Sequence, residues 1–268
     1  MLQESEVRLA QARAASTEEL KSLVHEASGE VILALLENPC IEEFHIEILL
    51  ERLDLPVQVL AAIGGDGKWT SKEGVRLCLA RHPRTPKRIA LAVVRQLFLV
   101  DLVRLCLLPS APADIKRVAE QVIVSRVPHL PVGEKLMLAR RGPAHVAGAL
   151  LAEGHPQAVK LALSNRFLTE SQVLKTLAKP EIPERVVTAI AKDGKWSHQY
   201  NVRVALIRNP HTPPTLVREF LPDLTLRDLK DIASLEDLPP QRKAHIAQEM
   251  ARRKASPGTS PERVASDS

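Results

Sequence analysis

Apolar residues recur along this chain in a five-residue core that is repeated six times. The cores begin at Val31, Val75, Val103, Glu134, Val159 and Val202. Their first, fourth and fifth positions are apolar in nearly every copy, which places them on one face of an α-helix. Successive cores start 44, 28, 31, 25 and 43 residues apart. A spacing near 25–31 fits one helical hairpin. The longer spacings leave room for an extra helix, predicted at Val57–Gly64 and Glu184–Lys192.

Proline residues mark the ends of these predicted helices. The pairs Asn38-Pro39, His82-Pro83 and Asn209-Pro210 follow three of the cores. Because proline disfavours the helical conformation at the residue before it, each pair predicts the end of a helix. His82 stands where the other two pairs have asparagine, which indicates a helix-end role for its side chain.

Other polar residues are placed to begin helices. Thr85 and Thr212 are predicted N-caps, each followed by a proline at the first helical position. Ser16-x-x-Glu19 and Thr225-x-x-Asp228 resemble capping boxes. Together these patterns predict about sixteen or seventeen short helices between residues 17 and 253.

A longer repeat relates the two halves of the chain. Residues 56–86 recur without gaps at 183–213, a 127-residue shift, with 15 of 31 positions identical. Asp-Gly-Lys-Trp, Val-Arg and Pro-x-Thr-Pro all recur in register. About half of the protein is therefore a duplicated array, and its fold class is predicted to be all-α, an α-solenoid of short helical hairpins. We call two residues related by this shift counterparts.

The motif Val-Arg-x-x-Leu-x-x-Asn-Pro-x-Thr-Pro at 202–213, echoed at 75–86 and loosely at 31–42, resembles the leucine-rich-repeat-variant and HEAT-like (armadillo-type) families. The resemblance covers roughly residues 30–253. It implies a curved, right-handed helical array whose members mostly bind other macromolecules. Some leucine-rich-repeat-variant proteins carry an N-terminal iron–sulfur module with clustered cysteines. The three cysteines of this chain are scattered, so no such cluster and no other cofactor is expected.

Charge and composition suggest three parts. Residues 1–28 are predicted to be an acidic helical cap, 29–254 the repeat array, and 255–268 a disordered tail rich in serine and proline. The net charge is −8 over residues 1–54 and +10 over 55–240, although the whole chain carries only +5. This asymmetry favours an anionic partner for the basic body, or head-to-tail self-association.

Composition also excludes several classes of protein. Aromatic residues are only 3% of the chain, which argues against an all-β fold and against base stacking along single strands. No apolar run approaches the ~18 residues of a membrane span, and the N-terminus is too charged for a signal peptide. A cytoplasmic protein with no membrane partner is expected.

The second core position supplies the first set of candidate binding residues. It is basic in five of six cores: Arg76, Arg104, Lys135, Lys160 and Arg203. Stacked repeats would bring these cations into one row, a track for an acidic peptide or a phosphate backbone. The alternative is structural, because HEAT-like repeats resemble this in pairing such an arginine with an acid of the neighbouring repeat.

The duplicated Asp-Gly-Lys-Trp supplies the second set, Trp69 and Trp196. Asp-Gly suits a tight turn with a positive φ, after which the indole folds back on the next helix. A pair of exposed tryptophans would be a partner anchor or a base-stacking platform. Packing against the extra helix is the structural alternative.

The sequence contains no recognisable catalytic or metal-binding motif. Cys78 and Cys106 take the compact fourth position of their cores, which indicates a structural role. The nine histidines are dispersed, and no nucleophile has a plausible base. The cations of the last helix, about residues 239–254, either complement the helix dipole or form a docking point.

The leading hypothesis is a non-enzymatic scaffold or adaptor that binds a protein partner, which the sequence does not identify. The alternative is nucleic-acid binding, by analogy with HEAT-like alkylpurine DNA glycosylases. Asp66 with Trp69 and Asp193 with Trp196 are the only residues that could serve such an enzyme. Self-association through the acidic N-terminus is a third hypothesis.

Overall fold

Regular structure in the described part of this protein is entirely helical. The computed structural model describes residues 2–255, with side chains from Glu6 onward, and this range contains nineteen α-helices, two 3₁₀ turns and no strand. The all-α prediction is therefore confirmed. No helix in this range is both long and apolar enough to span a membrane. Ala255, predicted to begin the tail, ends the last helix, and residues 256–268 lie outside the described residues.

The chain divides after His129 into two compact units, which we describe one at a time. The first unit contains α1 (Leu2–Ala14), α2 (Thr17–Leu23), α3 (Gly29–Leu36), α4 (Glu43–Glu51), α5 (Val57–Gly65), α6 (Gly67–Thr70), α7 (Glu73–Arg81), α8 (Lys87–Val94), α9 (Leu99–Leu107) and α10 (Ala113–Arg126), followed by a 3₁₀ turn, Val127–His129. Its helices pack mostly on near neighbours in sequence, such as α1 on α3 and α7 on both α4 and α8.

The second unit has nine α-helices. They are α11 (Val132–Arg141), α12 (Ala144–Glu153), α13 (Pro156–Leu163), α14 (Glu170–Leu177), α15 (Glu184–Lys192), α16 (Tyr200–Arg208), α17 (Pro214–Phe220), α18 (Leu226–Ala233) and α19 (Pro240–Ala255), with a 3₁₀ turn at Leu221–Asp223. Here too α12 packs on α11, α13 and α14, and α16 packs on α14.

Most predicted helix limits are confirmed. The extra helices form as α5 and α15, and α3, α7 and α16 end before their Asn-Pro or His-Pro pairs. Ser16 and Glu19 form a capping box, and the Thr225 side chain accepts a hydrogen bond from the Asp228 backbone N–H. The structure has eighteen α-helices from Thr17 onward, slightly more than expected, because the short segment α6 was predicted as a turn.

Two local predictions are wrong. Neither Asp-Gly pair has a positive φ, since Gly154 is the one residue with a positive φ in the described part of the chain. Gly67 instead begins α6, and the Asp66 carboxylate caps that helix by accepting from the Lys68 N–H at 2.8 Å. Thr85 and Thr212 are not N-caps, because the following proline holds that position. The Thr212 hydroxyl donates backward to the Leu206 carbonyl.

Three buried asparagines donate hydrogen bonds to the ends of helices that lie earlier in the chain. Asn38 is 2% exposed, and its Nδ2 donates to the carbonyls of Ala12 and Ala15 at 2.9 and 3.0 Å. Its Oδ1 accepts from the N–H of Cys40 at 2.7 Å. The last four carbonyls of any α-helix lack partners within the helix, so a buried helix end needs such a donor.

The same arrangement recurs elsewhere in the described chain. Asn165 donates to the carbonyls of Ala139 and Gly142, and Asn209 donates to the Leu177 carbonyl at 2.7 Å. In each case Oδ1 accepts from the backbone N–H two residues later. The sequence pattern identified the asparagines that precede proline, but not Asn165.

His82 performs the asparagine function with an imidazole ring. Its Nδ1 accepts from the N–H of Arg84 at 3.1 Å, so the ring proton is on Nε2. Nε2 lies 2.8 Å from the Arg52 carbonyl and donates to it. The ring is 3% exposed. The predicted helix-end role of His82 is confirmed in this geometry.

Arginine side chains supply further donors to helix ends. Arg126 binds the carbonyls of Arg95 and Leu97 at 2.8 and 2.9 Å, and Arg242, 6% exposed, binds four carbonyls near the end of α16. Arg253 binds three carbonyls around the second 3₁₀ turn and also pairs with Glu249. Two of the last helix's cations are therefore internal structural contacts. A planar fork of donors suits clustered carbonyls better than a lysine would.

Substitutions of His82 test directly whether buried helix ends need side-chain hydrogen-bond partners. We expect His82→Ala to lower the free energy of unfolding by about 2–3 kcal/mol, because it leaves a buried carbonyl and a buried N–H without partners. His82→Asn should remain within about 1 kcal/mol of the wild type, since asparagine pairs the same two backbone groups at three other places. Urea unfolding followed by circular dichroism measures both. An asparagine variant as unstable as the alanine variant would contradict the equivalence.

Candidate docking groove

Two of the predicted binding cations are engaged in structural contacts. The Arg76 Nη1 donates to the carbonyls of Thr70 and Ser71, and its Nη2 pairs with Glu73. Arg203, the counterpart of Arg76, donates from Nε to the Ser197 carbonyl at 2.6 Å. Its Nη1 pairs with Asp223 at 2.7 Å. Both guanidinium groups close the turn that precedes their own helix.

The other three cations have different environments. Lys135 is 12% exposed and paired with Glu153, whereas Arg104 is 62% exposed and pairs with Asp101 at 3.0 Å. Lys160 is exposed, and its side chain makes no hydrogen bond or ion pair with another residue of the described chain. Three of the five residues, Arg76, Lys135 and Arg203, are thus mostly covered and charge-compensated. They do not offer free cations to a partner.

Both tryptophans are interior residues. Trp69 is 2% exposed and Trp196 is 3% exposed. The Trp196 Nε1 donates to the Leu163 carbonyl at 3.0 Å, another helix-end contact. A lysine ammonium covers each ring, Lys68 at 4.2 Å and Lys195 at 4.1 Å from the ring centroid. Enclosed in this way, neither indole presents a face to a partner or to a base, and both have the packing role that the sequence offered as the structural alternative.

Glu73 and Asp101 are two neighbouring carboxylates, and Glu73 has a structural role. Glu73 accepts from the Phe98 N–H at 2.8 Å at the start of α9 and lies beside Asp101. Burial raises the pKa of Asp101, Arg104 opposes that shift, and Glu73 adds to it. In the second unit their counterparts are Tyr200 and Asp228, and the Tyr200 hydroxyl accepts from the Thr225 N–H. No group of three potential metal ligands occurs among the residues described.

Two of the three cysteines lie in positions that make them unreactive. Cys78 and Cys106 are buried, and burial raises the pKa of the Cys106 thiol to about 12. A thiol that stays protonated at neutral pH is a poor nucleophile and a poor metal ligand. Both residues fill a packing position.

An open groove runs between α14 and α16 of the second unit. Its volume is about 510 Å³, within the range of sites that bind small molecules or short peptide segments. The lining residues are Leu174, Leu177, Ala178, Lys179, Pro180, Asn201, Val204, Ala205, Arg208, Asn209 and Pro210. We call this site the docking groove. Its floor is aliphatic, and its two cations lie at the ends of the two helices.

These two cations lack direct partners. Lys179 and Arg208 are exposed, and neither side chain makes a hydrogen bond or ion pair with a described residue. Asp228 is close enough for Arg208 to lower its pKa, but hydrogen bonds from Tyr200 and Thr225 are the larger causes of that shift. The groove therefore carries two cationic side chains without a direct ion-pair partner among the described residues, beside an apolar surface.

The first unit has a different arrangement at the counterpart positions, between α4 and α7. Glu47 and Glu51 stand where α14 and its C-terminal end carry Leu174 and Ala178. Glu51 pairs with Arg81 at 3.7 Å. The Glu47 carboxylate lies over Gly74, so close that a Cβ there would be 1.8 Å from Oε1. Carboxylates thus occupy the crevice and compensate its arginine in the first unit.

Sequence reasoning missed the docking groove because it compared only the segments 56–86 and 183–213. Extending the same alignment upstream to α4 and α14 reveals the exchange of two glutamates for leucine and alanine. That exchange is the signal that would have located the groove.

Comparison with models of protein families, with curated proteins and with solved structures returned no match to this chain. The resemblance to helical-repeat families therefore stays a prediction from the repeat motif.

Substituting a cation that has a partner should affect stability more than substituting one that has none. Arg203→Ala should lower the free energy of unfolding by about 1–3 kcal/mol, because it removes the donor to Ser197 and leaves Asp223 without its partner. Lys160→Ala, which removes no contact, should change it by less than about 0.5 kcal/mol. Thermal and urea unfolding of the two variants measure this. Equal, small effects of both substitutions would show that Arg203 does not serve a structural role.

Proposed function

We propose that this protein is a non-enzymatic scaffold, an internally duplicated α-solenoid that holds a segment of a protein partner in the docking groove. The observation that carries the proposal is the groove itself, where an aliphatic floor adjoins two cations, Lys179 and Arg208, whose side chains have no direct partner among residues 6–255. Exposed apolar surface beside uncompensated charge is typical of an interaction site.

The contacts shared by the two units support an internally duplicated solenoid. Asp66 and Asp193 both accept from the N–H two residues later, and Arg76 and Arg203 both donate to the turn that precedes their own helix. Because the same local contacts form at counterpart residues, they support the internal duplication.

Nucleic-acid binding has less support. The chain is basic, with a pI of about 9.2, which favours a polyanion. However, Trp69 and Trp196 are buried, and three of the five cations that would follow a phosphate backbone are already compensated. The protein scaffold is therefore the better-supported function.

A photo-crosslinking experiment tests the proposal. Benzoylphenylalanine at Ala178, an exposed residue of the groove, should crosslink the full-length protein to a discrete set of polypeptides in cell extract. The matched control carries the same probe at Ser171, exposed on α14 but outside the groove lining. We expect the crosslinks from Ala178 to be absent from Ser171, and peptide mapping identifies the partner segment.

Three outcomes would contradict the scaffold proposal. Identical patterns from both positions would show that the groove captures nothing specific. A nuclease-sensitive product would support the nucleic-acid alternative. A product formed only between copies of this chain would support self-association.

A further inference from the structure

The helix ends that border the docking groove are already supplied with donors. Asn209 holds the Leu177 carbonyl at the end of α14, and Arg242 binds the carbonyls of Ile207 and Asn209 at the end of α16. Arg208 is therefore not needed to satisfy these groups. Its guanidinium remains available to a group from outside the chain.

The first unit shows which chemistry satisfies such an arginine. Arg81, the counterpart of Arg208, faces Glu51, and Glu47 lies one helical turn earlier on the same face of α4. The Cys78 thiol beneath them has its pKa raised by burial, with further contributions from Glu47 and Glu51. The crevice of the first unit is thus occupied by two carboxylates four residues apart.

The second unit keeps the arginine but has lost both carboxylates. Leu174 and Ala178 stand in their places and contribute apolar side chains to the groove lining. Lys179 adds a second cation where the first unit has Arg52, whose guanidinium is held by Asp54 and by the carbonyls of Val24 and Glu26. The groove therefore lacks acidic groups that its own positive charge would attract.

We propose that the docking groove binds an acidic aliphatic segment of a partner protein, with two carboxylate side chains about one helical turn apart. One carboxylate pairs with Arg208 and the other with Lys179, while an aliphatic side chain of the partner covers Leu174 and Val204. Arginine and carboxylate form the stronger contact because two parallel hydrogen bonds join them. This inference rests on the proposed function and adds the chemical class of the partner.

A pair of labelled peptides tests the inference on the full chain. The acidic peptide has the sequence of residues 43–54 of this protein, EFHIEILLERLD, and the matched peptide has glutamine in place of the glutamates at 47 and 51. Fluorescence anisotropy should show binding of the acidic peptide at least about tenfold tighter than that of the glutamine peptide. Tenfold corresponds to about 1.4 kcal/mol, the low end of a charge-assisted hydrogen bond.

Variants of the protein assign that binding to the groove. Ala178→Glu restores the carboxylate of the first unit and should weaken binding of the acidic peptide about tenfold, as should Arg208→Ala. Ala178→Gln, which matches the glutamate in size, should stay within about twofold of the wild type. Because Ala178 is exposed, both variants should fold, and their circular dichroism spectra check this.

The results separate this inference from the function on which it rests. Equal binding of both peptides, or no binding of the acidic peptide, overturns the acidic partner, and the Ala178 crosslinks then still decide the scaffold function. Binding that is unchanged in Ala178→Glu and Arg208→Ala places the peptide elsewhere and also overturns it. Displacement of the acidic peptide by a DNA duplex at physiological salt would assign the groove to nucleic acid instead.

Discussion

This structure depends on one constraint: the buried backbone carbonyls at helix ends, which have no partner within their own helix, need hydrogen-bond donors from elsewhere. Most of its helices have only seven to ten residues, so the four terminal carbonyls that lack partners are nearly half of each helix. Buried without donors, each would cost about 1–3 kcal/mol. Asparagine, histidine, arginine and tryptophan side chains 23 to 35 residues later supply these donors. These side chains therefore join each of these helix ends by hydrogen bonds to a segment later in the chain.

The same constraint explains why the docking groove carries available charge. Asn209 and Arg242 satisfy the helix ends beside it, so Arg208 and Lys179 are left for other contacts. In the first unit the corresponding arginine, Arg81, is compensated by Glu51. Leu174 and Ala178, at the positions of Glu47 and Glu51, leave the groove lining of the second unit without these two carboxylates.

The local rules of helix formation could be read from the sequence, whereas most tertiary contacts could not. Apolar periodicity and proline located the helices, and the position of His82 before proline indicated its role. Periodicity does not show what faces a side chain, so the sequence left both a binding role and a structural role open for Arg76 and Trp69, which the fold encloses. The docking groove depends on the pairing of α14 with α16, which no pattern along one segment contains.

Native-state hydrogen exchange of wild type and Asn165→Ala tests the role of these helix-end contacts most directly. Asn165 joins the N–H of Phe167 to the carbonyls of Ala139 and Gly142, at the end of α11. Removing its side chain should abolish protection of the Phe167 amide and make α11 and α13 open more readily than α15 and α16. Unchanged protection across α11 and α13 would show that apolar packing alone holds the layers together.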